Sequence, residues 1–383
     1  MLTIPSHRLR LFRTLMKSLT RCRRRRPAFS LVVTPEPDGI RLHCRWQGFL
    51  LSYLLPQRSK TQSFEPFVVP IDTIDDAIST RKFDVSFEPT GSRVGVSWTD
   101  RGVSRRLRLP QESPAASQLL PPGPVELITM PASFRDAVAN AAAVTSPDSV
   151  RYALGCLQLE GDNGRIAATD GVQAYVHEGL PLPWSGEVLV PGSVPLSHRE
   201  LPGGPVQIGR STIEAEQSGQ RPQSDHVVIR SGPWSFWLPV EIGRFPDIGR
   251  IVPSETGPTR VAIDREDRVM LAESIDGLPG SADDPVTLLA TGVVHVIAKQ
   301  ADERTQIDLP GSRTLGPHRR VTMRRSFLKR AAELGFDEIE LHGGDRPAVC
   351  RDSRQGGRTY LWMTLHEEPV EHSGSVRTAP AAA

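Results

Sequence analysis

The sequence predicts an α+β fold in which one domain of helices and antiparallel strands is repeated three times along the chain. A short apolar strand that runs into a proline occurs as Phe67-Val-Val-Pro70 and returns as Glu187-Val-Leu-Val-Pro191. Three stretches with helical periodicity open successive thirds of the chain, and each is followed by residues typical of strands. A chain of 383 residues is too long for one ordinary hydrophobic core, which also favours two or three domains.

The first repeat opens with a predicted helix over 6–21. Its apolar residues recur at helical spacing, with basic residues on the opposite side. The apolar residues are Leu9, Phe12, Leu15, Met16 and Leu19. We predict strands over 29–34, 40–46, 85–87, 94–98 and 105–109. A second helix is expected after Pro70, with Asp72 or Thr73 as its N-cap.

The second and third repeats follow the same plan. In the second, a helix over 130–143 has Ser133 as its predicted cap, and strands over 153–160 and 165–169 meet at the hairpin turn 161–164. A strand over 187–191 then leads into a second helix over 192–201. In the third, we predict helices over 262–275 and 323–334, and strands over 320–322, 338–342 and 359–365.

Pro/Ser-rich linkers at 110–123 and 253–258 set the predicted domain boundaries. The first domain covers 1–121 and includes the basic N-terminal helix, the second covers 122–253 and the third 254–368. Residues 369–383 are rich in Pro, Ala and Ser and are predicted to form a disordered tail.

The composition is typical of a soluble globular protein, with 23% charged and 38% hydrophobic residues. No apolar run reaches the roughly 18–20 residues that span a bilayer, so no membrane association is expected. The four cysteines, Cys22, Cys44, Cys156 and Cys350, show no metal-ligand spacing. This pattern predicts no metal site, reduced thiols and a cytoplasmic location.

The sequence contains none of the common catalytic motifs. GxSxG, HExxH, the Walker A loop and GxGxxG are all absent. The acidic clusters at 72–76 and 283–284 fit a helix start and a solvated loop better than a pair of catalytic carboxylates. We therefore predict a protein without enzymatic activity, catalytic residues or a cofactor.

A basic block dominates the N-terminal region. Residues 1–26 hold nine of the 46 Lys and Arg residues and no acid, which leaves 37 basic against 44 acidic residues in the rest of the chain. A basic block on an acidic body favours contact with phosphate. A solvated tail and a targeting segment are the alternatives, although the apolar run is too short for a secretory signal.

Two stretches carry a resemblance to a known family. The first is Arg165-Ile-Ala-Ala-Thr-Asp-Gly-Val-Gln-Ala174, and the second is Arg244-Phe-Pro-Asp-Ile-Gly-Arg-Ile-Val-Pro253. Their order and spacing, and the triple repeat, resemble the bacterial sliding clamp, the beta subunit of DNA polymerase III. The resemblance covers roughly residues 5–367.

The resemblance implies a homodimeric ring that encircles duplex DNA without sequence preference. Clamps of this family line the hole with helices, form the outside with strands, and tether DNA polymerase and the clamp loader through short apolar peptides. The first and third domains of two protomers would meet head to tail. We expect one contact strand over 104–109 and its partner near 275–278.

The resemblance also implies a pocket for the partner peptides. Carried over position by position, it contains Leu154, Thr169, Gly171, Val172, Pro246, Arg250, Ile251, Leu361 and Met363. For Leu154 and Ile251, a plain core position is an equal alternative. The chain has Val172-Gln173-Ala174 where the family has His-Arg-Leu, and Met363-Thr364-Leu365 where it has Met-Pro-Met, and it continues past the family's usual end.

Basic residues of the predicted helices are the expected DNA contacts. They are Arg10, Arg13, Lys17, Arg21, Arg23, Arg24, Arg25, Arg26, Arg324, Arg325 and Lys329. They lie in the first and third domains, so the basic lining is patchy. An alternative hypothesis is therefore a clamp-like paralogue that acts as a protein-interaction scaffold outside bulk replication.

Overall fold

The computed structural model describes most of the chain as two compact units. Unit 1 comprises Met1–Ala168 and Gly179–Phe245, and unit 2 comprises Thr169–Glu178 and Pro246–Ala383. The described residues are 2–21, 29–56, 64–79, 81–115, 118–146, 152–213, 224–300, 303–352 and 357–369. The predicted DNA contacts Arg23, Arg24, Arg25 and Arg26, and the tail from residue 370 onward, lie outside them.

The same order of elements occurs three times along the chain. Each repeat has a strand, a helix, a first group of three strands, a single strand and a second group of three strands. The first repeat contains β1 Leu2–Pro5, α1 Ser6–Leu19, β2 Ser30–Glu36, β3 Gly39–Trp46, β4 Phe49–Pro56, β5 Phe67–Pro70, β6 Asp84–Thr90, β7 Arg93–Asp100 and β8 Val103–Pro110. The second contains β9 Ile128–Thr129, α2 Ser133–Ala142, β10 Cys156–Glu160, β11 Arg165–Thr169, β12 Gln173–His177, β13 Glu187–Pro191, β14 Val206–Ile213, β15 Ser224–Ser231 and β16 Trp234–Pro239.

The third repeat is longer. It contains β17 Thr259–Ala262, α3 Arg265–Ser274, β18 Pro285–Thr291, β19 Val293–Gln300, β20 Glu303–Leu315, β21 Arg319–Arg324, α4 Arg325–Glu333, β22 Glu338–Leu341, β23 Ala348–Asp352, β24 Arg358–Trp362 and a final strand, β25 His366–Pro369. The α+β class and the repeated plan are therefore confirmed, whereas the domain boundaries 1–121, 122–253 and 254–368 stay a prediction.

In unit 1 an 8-stranded antiparallel sheet joins the first two repeats in the order β5-β2-β3-β4-β16-β15-β14-β9. The junction is the β4–β16 pair, where Trp234 lies opposite Tyr53. Their ring centroids are 4.4 Å apart, and Phe12 of α1 lies 6.0 Å from Trp234. A second, 4-stranded sheet has the order β1-β6-β7-β8, and β13, β10 and β11 pair separately.

Helix α1 forms because its apolar side chains share one face, as the spacing predicted. Leu9, Phe12, Leu15, Met16 and Leu19 are all at most 1% exposed. The predicted hairpin turn at 161–164 is also present, since Glu160 pairs with Arg165 across β10 and β11.

Unit 2 contains one sheet with the strand order β12-β24-β23-β22-β17-β20-β19-β18-β21-β25. Strand β12 belongs to the second repeat by sequence and pairs with β24 of the third. Helices α3 and α4 contact each other. The predicted strand over 359–365 ends earlier, because β24 stops at Trp362. The chain pairs again from His366, as β25 with β21. Pro369, assigned to the tail, lies in β25.

Two predicted helices are wrong. After Pro70 the chain forms only a 3-10 turn at Asp75–Ala77, and Thr73 Oγ1 donates to the Pro70 carbonyl rather than capping a helix. The buried Ile71, Ile74 and Ala77 recur every three residues, which is the 3-10 period. Residues 192–201 form successive turns around Pro195, which cannot donate a helical hydrogen bond.

The predicted cap of α2 is also wrong, because Ser133 lies within the helix and Ala132 occupies the capping position without a side-chain hydrogen bond. In the described part of the chain, no helix is both long and apolar enough to cross a membrane.

Candidate functional site

The Thr169-Asp170-Gly171 turn is the best-defined feature among the predicted pocket residues of unit 2. Thr169 Oγ1 donates to the Gln173 carbonyl at 2.7 Å and accepts from the Gly171 amide at 3.0 Å. The Asp170 carboxylate accepts from the Val172 and Gln173 amides at 2.8 and 2.9 Å. Gly171 has a φ of +93°, so a residue with a Cβ would be strained there. The turn is therefore held by its own side chains.

Strand β24 fixes the end of this turn. The Met363 amide donates to the Val172 carbonyl at 2.9 Å, and the Tyr360 hydroxyl donates to Gln173 Oε1 at 2.7 Å. Tyr360 is fully buried, and this burial raises the pKa of its phenol well above the ordinary value. Gln173 and Tyr360 were missed by the sequence analysis. A glutamine that is buried directly after a turn was the one available signal.

The predicted pocket residues differ in how much of each side chain a peptide can reach. Val172, Pro246 and Met363 are half-buried, and Ile251 is 47% exposed, so Ile251 is not a core residue. Leu361 is 3% exposed, so its side chain is out of a peptide's direct reach. In unit 1, Leu154 is half-buried and its carbonyl accepts from the Ser146 amide at 2.6 Å.

The segment that carries Pro246, Arg250 and Ile251 has local contacts of its own and is held by Arg351 at its C-terminal end. A 3-10 turn spans Ile248–Arg250, and Arg250 forms an ion pair with Asp247 at 2.9 Å. Farther along, Arg351 donates to the Pro253 carbonyl and to Glu340, which also accepts from the Gly257 amide at 3.0 Å. A cavity of about 340 Å³ lies beside this segment, lined by residues 250–255 and by Arg346.

The predicted DNA contacts of α1 are partly occupied within the protein. Arg10 forms an ion pair with Glu200 and lowers the pKa of that carboxyl, and Arg13 forms an ion pair with Asp75. Lys17 is half-buried, and Arg21 is exposed with a φ of +50°. Arg10 and Arg13 can therefore reach phosphate only by exchanging a carboxylate partner.

In α4 the assignment of Arg325 as a DNA contact is wrong. Its side chain is 1% exposed, and its guanidinium donates to the carbonyls of Leu278 at 2.8 Å and of Pro279. It holds the chain after α3 and is not available to phosphate. Lys329 forms an ion pair with Asp276, which raises the pKa of the Lys329 amine. Arg324 stacks over Phe327 at 5.6 Å.

Of the two predicted dimer contacts, one is a strand at the edge of a sheet and the other is not. Strand β8 is the edge of its sheet, as expected for 104–109. The expected partner segment at 275–278 is a 3-10 turn whose Ile275 and Leu278 are buried, so it offers no strand edge. The first half of β20 offers a strand edge instead. Its residues 303–309 pair with β19 on one side and with no described strand on the other.

Among the described residues, no group of three or more His, Cys, Asp or Glu side chains is placed to hold a metal ion.

Comparison with known proteins identifies the fold. No protein-family model and no curated protein matches the sequence. Solved structures do match: a DNA polymerase III subunit beta from Pseudomonas aeruginosa has a TM-score of 0.71 and 17% identity, covering 95% of this chain and 99% of that one. A Bacillus subtilis sliding clamp has a TM-score of 0.73 and 13% identity over 95% and 98% of the two chains.

A third match is a Pseudomonas aeruginosa sliding clamp bound to griselimycin, with a TM-score of 0.70 and 17% identity over 95% of this chain and 98% of that one. The likeness extends over nearly the full length of every chain compared. The chain therefore has the fold of the DNA polymerase III beta sliding clamps.

Proposed function

We propose that the protein is a sliding clamp, a non-catalytic ring of two copies that encircles duplex DNA and tethers a DNA polymerase, a clamp loader or repair proteins. The observation that carries this proposal is the clamp fold over 95% of the chain. The repeats support ring closure. Two junctions of one type join successive repeats, β4–β16 in unit 1 and β12–β24 in unit 2.

Strand β8 holds the place of β16 and β24 in its repeat, and β20 holds the place of β4 and β12. Among the described strands, however, β8 and the first half of β20 each keep a free edge. A second copy can pair with both edges, and pairing them closes the assembly and leaves no open end. The proposed location is the cytoplasm, where the buried thiols of Cys44, Cys156 and Cys350 stay reduced.

The proposed DNA contact is electrostatic and independent of sequence. The block Arg23–Arg26 is the longest run of consecutive basic residues in the sequence. Arg10, Arg13 and Lys329 have intramolecular acid partners. Replacing Arg23, Arg24 and Arg25 by Ala should flatten the dependence of log K on log salt by roughly 0.9 for each phosphate that the protein no longer neutralises. The matched control replaces Arg93, Arg230 and Arg313, which are exposed and lie outside both the N-terminal block and the proposed dimer junction, so it removes equal charge elsewhere. Equal slopes for both triple variants would contradict a contact at the N-terminal block.

The proposed peptide pocket centres on Thr169, Gly171, Val172, Ile251 and Met363. Met363 is unbranched and half-buried, so it can adapt to different apolar side chains. Met363→Ala should weaken a short apolar clamp-binding peptide by about 1–2 kcal/mol, the value of one buried contact. Val269→Ala on α3, an exposed position outside the pocket, is the control. Griselimycin, which a similar clamp binds, is a second probe for the same comparison.

Several of the predicted DNA contacts already have partners within the protein. This favours one alternative, a clamp-like scaffold that binds partner proteins but not DNA. The residues Arg10, Arg13 and Lys329 are tied to acids, and Arg325 is buried. Peptide binding without measurable duplex binding at low salt would support the scaffold over the clamp.

A further inference from the structure

The two junctions between repeats share one register. In unit 1, Trp234, the first residue of β16, lies opposite Tyr53, the fifth residue of β4. In unit 2, Arg358, the first residue of β24, lies opposite His177, the fifth residue of β12. Two independent junctions with one register indicate that the repeat itself sets the pairing.

Strands β8 and β20 are the counterparts of these strands that keep a free edge. Applied to them, the register places Val103, the first residue of β8, opposite the partner's Ile307, the fifth residue of β20. Ser104 then faces the partner's Gln306, and Arg106 faces the partner's Arg304. This assignment rests on the proposed dimer.

The paired residues fall on two faces. Ile307 lies beside the buried Val296 on β19, so the Val103–Ile307 pair belongs to the inner, apolar face. Arg106 and Arg304 lie on the outer face, where both are exposed. On that face Arg304 is also directly opposite Lys299 of β19. One row across the junction therefore reads Arg106, then the partner's Arg304, then the partner's Lys299.

This row has little neutralising charge. Among the described residues, no acid forms an ion pair with Arg106, Lys299 or Arg304, and Arg304 donates to Gln306 at 3.1 Å. Asp308 already accepts from Gln306 and contacts His295 Nδ1 at 2.7 Å. Like charges that face each other across two strands oppose pairing.

We propose that the outer face of this junction is an anion-binding site, built by Arg106 of one protomer and by the partner's Arg304 and Lys299. Its ligand class is a multivalent phosphate. Such an anion neutralises the facing arginines and forms charge-assisted hydrogen bonds with both protomers, so it stabilises the closed dimer. Each guanidinium presents a planar fork of donors suited to phosphate oxygens.

The first test measures the dimer dissociation constant by sedimentation equilibrium, with sodium tripolyphosphate as the probe. Millimolar tripolyphosphate should tighten the dimer by about tenfold, because a closed ring contains two such junctions and the anion removes the like-charge repulsion at both. Sodium chloride at equal ionic strength should have a smaller effect. Equal effects of the two salts would overturn the site in favour of general screening.

The second test is a charge-exchange cycle. Arg106→Glu and Arg304→Glu each create an opposite-charge pair, so each should tighten the dimer without tripolyphosphate and remove the response to it. The double variant faces Glu with Glu and should weaken the dimer again. Arg93→Glu, on the same face but opposite Thr90 and Pro110, is the matched control and should change little.

The outcomes separate the site from the proposed clamp. A wild-type dimer that neither single variant tightens would overturn the anion site and leave the ring intact. If wild type and both single variants are monomeric at every concentration and salt, the proposed ring fails and the site fails with it.

Discussion

The two junctions inside the chain and the two free edges occupy equivalent places in the repeat, yet they differ in chemistry. At β4–β16 the rings of Tyr53 and Trp234 are 4.4 Å apart, and at β12–β24 the fully buried Tyr175 and Tyr360 face each other. The free edges carry Arg106 and Arg304, and Val103 there is 58% exposed. The junctions within the chain consist of buried aromatic side chains, as a hydrophobic core does. An edge that must stay soluble while unpaired carries charge that discourages aggregation.

The junctions and the free edges should differ most in how much stability the protein loses when a side chain is removed. Trp234→Ala removes the fully buried ring of the β4–β16 junction against which Tyr53 and Phe12 pack, and should cost about 3–5 kcal/mol of unfolding free energy. Val103→Ala on the free edge of β8 should stay within about 0.5 kcal/mol. Chemical denaturation of the two variants measures this. Similar losses would mean that the edges are not distinct.

The β12–β24 junction depends on a buried hydrogen bond. Tyr360→Phe removes the donor to Gln173 Oε1 and should cost about 2 kcal/mol, because a buried acceptor is left unsatisfied. Burial raises the Tyr360 pKa above its ordinary 10.0, so the folded state favours the neutral phenol. The stability that the neutral Tyr360 phenol contributes is therefore fully present below pH 10, and it is lost as the pH rises from there toward the pKa of the folded state.

Denaturation at several pH values tests this dependence. Wild type should lose stability above pH 10 more steeply than Tyr360→Phe. If the unfolding free energies of the two proteins fall in parallel above pH 10, ionisation of the Tyr360 phenol is not the cause of the alkaline loss of stability.

A smaller effect is expected at the turn before β12. Gly171→Ala introduces a Cβ at a φ of +93° and should destabilise unit 2 by about 1 kcal/mol. Gly123→Ala is the control, since an added Cβ there meets no atom within 4 Å and its φ is not in the left-handed region. If Gly171→Ala loses no more stability than the control, the turn is not strained as described.

Local signals explain what the sequence predicted well. Helix α1 was found because its apolar residues have one period, and Gly171 was found because the Thr-Asp-Gly stretch carries the family resemblance. Strand β4 was missed because five consecutive buried residues from Phe49 to Tyr53 leave no alternation to detect.

Long-range contacts explain what it missed. Arg325 looks like any exposed helical arginine, because its carbonyl acceptors lie at 278–280, about 45 residues away in sequence. The acids that engage Arg10 and Arg13 are also distant, at Glu200 and Asp75. The free edge of β20 is visible only once its pairing with β19 and β17 is known.

The central claim is a closed ring around duplex DNA, and covalent closure tests it most directly. Ser104→Cys and Gln306→Cys face each other in the proposed register, at the Cα separation of about 4.5–5.5 Å that a disulfide accepts. With the native cysteines replaced by Ser, the pair is oxidised in the presence of nicked circular plasmid, and the DNA-bound protein is then separated at high salt. The ring predicts that oxidised protein stays with circular DNA and is released when the plasmid is cut once. Retention that does not change on cutting, or no retention on circular DNA despite complete disulfide formation, would contradict it.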